Sequence, residues 1–272
     1  GLSRIEKFDT YEEGLNNFQG DLVYVSTVNS AHFQYSKYAL EKGFNVIVDK
    51  PATMTLAQAE ELLEIAQKSN LLICESTVYL CHPQFECVDN IFKQNEDSPK
   101  LLTVHFTMPP FTPNNFRYKK ELGGGALMDT LPYAVSIGRY FFKEKPTDIA
   151  VSVNERNEDG LDIEYSLLMT YPEGKAMVGH FGFNTEYINK ILVMGRRTNV
   201  TVNRVFTIPD NMENELLVDH NNSHTVVKAR NGNNFKLFLE EVLRVLDSHD
   251  YNAMYNSMLY DAEVKQMIIN KI

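Results

Sequence analysis

Cysteine is scarce in this chain: Cys74, Cys81 and Cys87 are the only three in 272 residues. An odd set without CxxC spacing excludes a disulfide-stapled scaffold and reads as reduced thiols in a cytoplasmic protein. A zinc site would need Cys81, His82 and Cys87 to converge with a fourth ligand. Buried thiols beside a helix-capping histidine are the plainer reading, and no metal is expected. Basic charge is also short, with 26 Lys and Arg against 36 Asp and Glu, a net of −10. That balance argues against nucleic acid or an anionic membrane as the main partner. Apolar runs are no longer than a strand, so no membrane span is expected. Repeats and low-complexity tracts are missing, and no signal peptide is visible near the start.

What remains is an ordinary globular composition, 43% hydrophobic and 23% charged, with length for roughly two domains. In the first part, strand and helix signals alternate. "DLVYVSTV" (21–28), "FNVIV" (44–48) and "LLICESTV" (71–78) are short runs rich in β-branched residues, as buried strands are. Between the last two, residues 55–70 place Leu56, Ala59, Leu62, Leu63 and Ala66 at helical spacing behind a Thr55 cap. Alternation at these lengths predicts a parallel α/β sheet. From about residue 100 the pattern changes. Strands are expected at 101–108, 148–155, 163–171, 176–183, 190–195 and 199–206. Their short connections predict a second α+β unit with a mostly antiparallel sheet. Helices over 233–247 and from about 252 close the chain, the first with Phe235, Phe238, Leu239, Val242 and Leu246 on one face. The boundary is expected within residues 95–100, dividing the chain into 1–98 and 99–272.

Ligands of open parallel sheets bind beyond the carboxyl ends of the strands. Three such ends carry polar groups here: Ser26, Thr27 and Asn29; Asp49 and Lys50; Glu75, Ser76 and Thr77. Each alone could simply be where solvent begins; together they predict a pocket. Pro51 restricts the residue before it, giving Lys50 a defined launch direction for a proton or hydrogen bond. A second constellation is "KKELGGGALMDTLPYAV" (119–135). Gly123 to Gly125 permit close backbone approach before a helix, and Asp129 and Tyr133 follow at i, i+4. The same residues could form a flexible turn, a helix cap and an ordinary half-buried tyrosine.

"GFNVIVDKPATMTLAQAEELLEIAQKSNLLICESTVYLCHPQ" resembles the stretch of the Gfo/Idh/MocA oxidoreductases that holds their Glu-Lys-Pro signature, with Asp49 in place of the glutamate. "LGGGALMDTLPYAVSIGRYFF" resembles the family's glycine-rich segment with its Asp and His/Tyr. "STVNSAH" is similar to its Thr-Pro-Asn-x-x-His turn, with Val28 where proline is common. Tyr133 and "NNFRY" (114–118) look most like the sugar-nucleotide ketoreductase and glucose–fructose-oxidoreductase branch. The resemblance implies a Rossmann domain binding NAD or NADP, and a second domain whose open sheet makes homodimer or homotetramer contacts. It implies hydride transfer on a sugar or sugar nucleotide. Lys50 and Tyr133 would serve proton transfer, Asp129 would orient them, and Ser26, Thr27, Asn29, His32, Asp49 and Lys50 would line the cofactor. Arg117, Tyr118 and Tyr79 are candidates for substrate contact, although a solvated loop charge is an equal reading of Arg117, and a packing tyrosine is the default for Tyr79, as a capping His-Pro is for His82. A cofactor-sensing or protein-binding relative without catalysis is the alternative.

Two features depart from the family. No strand–GxGxxG–helix occurs, and residues 1–20 look like the strand and helix just before the Ser26 turn. The expectation is a fragment that on its own does not bind NAD(P) tightly; a further alternative for the fragment alone is a plain assembly domain that oligomerises without cofactor. Pro132 is harmless if Asp129 caps the helix, but interrupts it if the helix starts at the glycines.

Overall fold

The computed structural model describes residues 5–272. The first unit runs α1 (Tyr11–Asn17), β1 (Leu22–Val25), α2 (His32–Glu41), β2 (Asn45–Val48), α3 (Leu56–Ser69), β3 (Ile73–Glu75) and α4 (Pro83–Gln94). Its sheet is parallel, in the order β1-β2-β3. Val46, Ile47 and Val48 are fully buried because helices cover both faces of the middle strand. Thr55 caps α3 by accepting from the Gln58 amide, and Asn70 ends it in the left-handed region at φ 51°. Ala59, Leu62, Leu63 and Ala66 face the sheet, each leucine contributing about 1.5–3 kcal/mol by leaving water. Of the strand and helix expected in residues 1–20, the helix forms as α1. No strand forms over residues 5–10, and residues 1–4 lie outside the described residues.

The second unit holds β4 (Leu101–Thr107), α5 (Ala126–Phe142), β5 (Asp148–Arg156), β6 (Asp162–Tyr171), β7 (Lys175–Gly182), β8 (Ile188–Met194), β9 (Thr198–Asn203), β10 (Asn214–His220) and β11 (Ser223–Ala229). These strands form one eight-stranded sheet in the order β11-β10-β9-β8-β4-β7-β6-β5, with every neighbour antiparallel except β4 and β7. Helix α5 packs on one face over Tyr165, Leu167, Met169 and Phe181. The opposite face is open. One continuous register crosses it, Ala150–Leu168–Val178–Thr103–Leu192–Thr201–Leu217–Val226, one residue from each strand. Leu168, Val178, Leu217 and Val226 on this row are exposed. Among the described residues no helix is long and apolar enough to cross a membrane.

After β11 the chain returns to the first unit as α6 (Asn234–Ser248) and α7 (Asn252–Ile269). Phe238, Val242, Val245, Tyr255, Met258 and Ala262 share one core with Leu40, Ile47 and Leu62. The apolar face of α6 therefore differs from the expected one. Phe238, Val242 and Val245 are buried, whereas Phe235 and Leu239 are exposed. The helix lies on the turn at Val78–Cys81, which rotates the i, i+4, i+7 stripe inward by one position.

The segment at 95–100 is held by a carboxylate. Asp97 accepts from the amides of Ser98 (2.9 Å), Arg196 (3.1 Å), Arg197 (2.8 Å) and Thr198 (3.0 Å), tying the crossing to the β8–β9 turn. Burial opposes its charge, but these four N–H groups outweigh it and hold the carboxyl down at about 2. A depressed folded value means the contribution is complete above the ordinary aspartate range and is lost as pH falls towards 2. Asp97→Asn is expected to lower the denaturant midpoint at pH 7, with the difference from wild type narrowing between pH 4 and pH 2.

Candidate active site

At the strand tips the hydroxyls and Asp49 bind one another. Asp49 accepts from Tyr24 (2.6 Å) and Ser76 (2.9 Å) through one oxygen and from Ser26 (2.6 Å) through the other. All three strands are thereby laced together at their carboxyl ends. Burial and then Asp49 push the Tyr24 phenol well above its ordinary value, so it stays a donor. Tyr24 is not among the expected residues; its only signal in the sequence is a hydroxyl-bearing side chain within the otherwise apolar run Leu22–Val25.

Asn29 and His32, expected to face a cofactor, are buried at 6% and 1% and spend their polar atoms inside the protein. Asn29 donates to the Gly123 carbonyl at 2.9 Å. The His32 ring bridges the Pro51 carbonyl (2.8 Å) and the Thr27 carbonyl (3.1 Å). They build the loops that carry Lys50 and the glycines. Ser26 is exposed, and Thr27 is half-buried beside it.

The triple glycine is not a flexible turn. Gly123 sits at φ 75°, and a Cβ there would come within 2.7 Å of Asn29 Cβ. Gly125 caps α5 at φ 107°, and its Cβ would lie 2.9 Å from the Asp162 carboxylate. Asp162, on β6, accepts from the Leu127 amide at 2.6 Å and so satisfies the exposed helix start. The helix starts at Ala126, so Asp129 is not its cap and Pro132 lies in its interior. The helix nevertheless continues to Phe142. Pro132 leaves the Met128 carbonyl without its usual donor. In that same turn the Asp129 carbonyl accepts from Lys50 Nζ at 2.8 Å.

Three charges then meet. Lys50 Nζ lies 2.7 Å from Asp129 Oδ1, and Arg117 Nε donates to Asp129 Oδ2 at 2.9 Å. The Asp129 side chain is only 7% exposed, against 22% and 25% for its partners. The Lys50–Pro51 peptide is cis. The ammonium stands 5.0 Å from the centre of the Tyr133 ring, which is itself packed against Phe106, Phe206 and Tyr79. Burial raises the Asp129 carboxyl, but Lys50 and Arg117 overcome it, so the acid is held below its ordinary value. Burial lowers Lys50, yet Asp129 and Tyr133 keep it above the usual lysine range. Burial raises the Tyr133 phenol, with Lys50 opposing. Both Lys50 and Tyr133 therefore carry a proton at neutral pH.

The other candidates divide. The Arg117 guanidinium stacks 4.8 Å from the Phe111 ring centre and 4.7 Å from that of Phe116. Its terminal nitrogens make no further hydrogen bond to the described residues. The Tyr118 hydroxyl accepts from the Phe111 amide at 3.0 Å, inside its own loop, which leaves it a loop-building residue. Tyr79 is 2% exposed, and its hydroxyl pairs with Ser136 at 2.7 Å. With Lys50 and Tyr133 it lines a pocket of about 30 Å³. His82 caps α4 by accepting from the Gln84 amide.

Residues 2–76 match the model described as oxidoreductase family, NAD-binding Rossmann fold, and residues 98–201 match the GFO/IDH/MocA C-terminal domain. The chain belongs to the Gfo/Idh/MocA family. Among its relatives in this family is the dTDP-3,4-didehydro-2,6-dideoxy-alpha-D-glucose 3-reductase of Saccharopolyspora spinosa, 30% identical over 73% of this chain and 60% of that protein. The trans-1,2-dihydrobenzene-1,2-diol dehydrogenase of Xenopus laevis is 28% identical over 60% of this chain and 50% of its own length. The chain thus spans about 60% of the first of these relatives. Its fold matches the crystal structure of a 3-ketoreductase from Actinomadura kijaniata in complex with NADP and TDP-benzene. The TM-score is 0.89 at 22% identity, covering 97% of this chain and 82% of that one. An aldose-aldose oxidoreductase from Caulobacter crescentus gives 0.86 at 18% identity, over 97% and 80%.

A cavity of about 850 Å³ runs along β1, with apolar walls that include Leu22 and Tyr35 and with Ser26 and Thr27 at its strand-tip end. The Ser26 and Thr27 hydroxyls give this cavity hydrogen-bonding groups at that end. No glycine-rich strand–turn–helix lies among the described residues to cradle a pyrophosphate.

Removing the shared carboxylate leaves two cations facing each other. Asp129→Ala is expected to destabilise the fold by about 2–4 kcal/mol, somewhat below a fully buried pair because both cations retain water contact. Urea unfolding at pH 7 measures it. Because the folded carboxyl is depressed, the loss shrinks as pH falls below the ordinary aspartate range.

Proposed function

We propose that the protein transfers hydride between NAD(P) and a carbonyl or hydroxyl carbon of a sugar or sugar nucleotide. The observation that carries this reading is the convergence of the Lys50 ammonium and the Tyr133 ring beyond the parallel strands. The nicotinamide, when bound, supplies or accepts the hydride. In the reducing direction the carbonyl oxygen must gain a proton as its carbon gains hydride. Lys50 and Tyr133, both held protonated, are its proposed donors. Asp129 keeps the ammonium charged and aimed, while Pro51 and Pro132 shape the two backbones that present it. The unused Arg117 nitrogens suit the phosphates of a nucleotide-linked sugar. Relatives named as sugar-nucleotide reductases support this substrate class.

The same reading includes association through the open sheet face, as a homodimer or homotetramer. The apolar row across eight strands supports it, being self-complementary under two-fold symmetry. Three unpaired cysteines suit a cytoplasmic setting.

Hydride transfer is tested by following NADH and NADPH oxidation in the presence of 3-keto and 4-keto sugar nucleotides. Lys50→Met and Tyr133→Phe are each expected to lower kcat by roughly 10²-fold or more, within the range for a lost proton donor. Protein that binds NAD(P)H, turns over no sugar on the panel and is unaffected by Lys50→Met would be a sensor. For assembly, Val178→Glu is expected to shift the sedimentation coefficient to that of a monomer; an unchanged coefficient refutes the sheet-face contact.

A further inference from the structure

Beside the 51–53 segment that follows Lys50 lies a second buried charge cluster that the proposed reaction does not use. Lys265, on α7, is 5% exposed, and its Nζ donates to the Thr53 carbonyl. No carboxylate lies within salt-bridge distance of it among the described residues. The Glu75 carboxylate, at the end of β3, accepts from the Ala52 amide at 2.6 Å through one oxygen. Its other oxygen is buried without a partner. Asp261, one turn before Lys265, is taken by Arg139 of α5 at 2.8 and 2.9 Å. Burial pulls the Lys265 ammonium below the ordinary lysine value, with Glu75 and then Asp261 opposing.

A buried ammonium with one backbone acceptor is a poor way to gain stability, since an apolar side chain of similar length would avoid the desolvation. Its partner carbonyl lies three residues from Lys50. Three successive residues are thus gripped from behind: Pro51 by His32 (2.8 Å), Ala52 by Glu75 and Thr53 by Lys265. We propose that Glu75 and Lys265 are positioning residues that hold the 51–53 backbone in place, so that the Lys50 ammonium meets Asp129 and Tyr133. The proposal rests on the hydride-transfer reading for its catalytic consequence, but the clamp itself does not.

Two measurements on the full chain separate these. The first is hydrogen exchange at the amides of Ala52 to Met54, read against α3 as an internal reference. Glu75→Ala and Lys265→Met are expected to speed exchange in this segment at least tenfold while α3 is unchanged. The second is steady-state kinetics with the keto-sugar panel. Both variants are expected to lose ten- to hundredfold in kcat, with KM within threefold of wild type. Glu75→Gln keeps an oxygen for the Ala52 amide and is expected to recover most of the loss. If either variant does not fold, Lys265→Gln, shorter and still polar, takes its place in both measurements. Variants that melt earlier yet leave segment exchange and kcat within twofold overturn the proposal, because the cluster is then only structural. Wild-type protein inactive on the whole panel refutes the hydride-transfer reading, and the exchange result alone then decides the clamp.

Discussion

One buried carboxylate holds the candidate site together. Asp129 stands between two cations that reach it from different parts of the chain, Lys50 from a strand tip of the first unit and Arg117 from the loop before α5. Without it the cations would repel across a partly dry cleft, where charges interact more strongly than in water. The same contact joins the two sheets, since Lys50 and Asp129 belong to different units. Local chemistry and tertiary assembly therefore share one ion triad. The triple glycine serves it too: only residues lacking Cβ let the 123–125 backbone close on Asn29 and Asp162, which fixes where α5 starts and hence where Asp129 points.

Much of the fold is legible in the sequence because burial on both sides forces recognisable runs. Val46, Ile47 and Val48 have no polar alternation because both faces of their strand are covered. Thr55 and Asn70 bracket α3 through local hydrogen bonding alone. The β10–β11 hairpin escapes that reading, although Asn221 and Asn222, both at positive φ, mark its turn. The α6 face is misread because Phe235 and Leu239 are as apolar as Phe238 and Val242. Only the surface the helix meets decides which side is covered.

The site divides in the same way. Lys50, Asp129 and Tyr133 stand out through their neighbours: a proline after a buried strand, glycines before a helix, an i, i+4 pair. What each side chain touches is not local. Lys50 meets a residue 79 positions away, and Thr53 meets one 212 positions away. Asn29 stands at a strand tip, His32 in the family-like turn after it and Tyr118 in the loop before the glycines, so all three look like ligand-facing residues. Packing uses their polar atoms for the loops instead. A polar residue at a strand end is evidence of a demand for hydrogen bonds, and the protein's own backbone competes with any ligand to meet it.

The path of the chain carries a mechanical consequence. It leaves the first unit near residues 95–100 and rejoins it between β11 and α6, so two covalent tethers link the two bodies. A single tether would permit free swivelling; a pair leaves chiefly rotation about the line through both. The side-chain ties between the bodies, Lys50 to Asp129 and Arg139 to Asp261, therefore close over a restricted range of orientations.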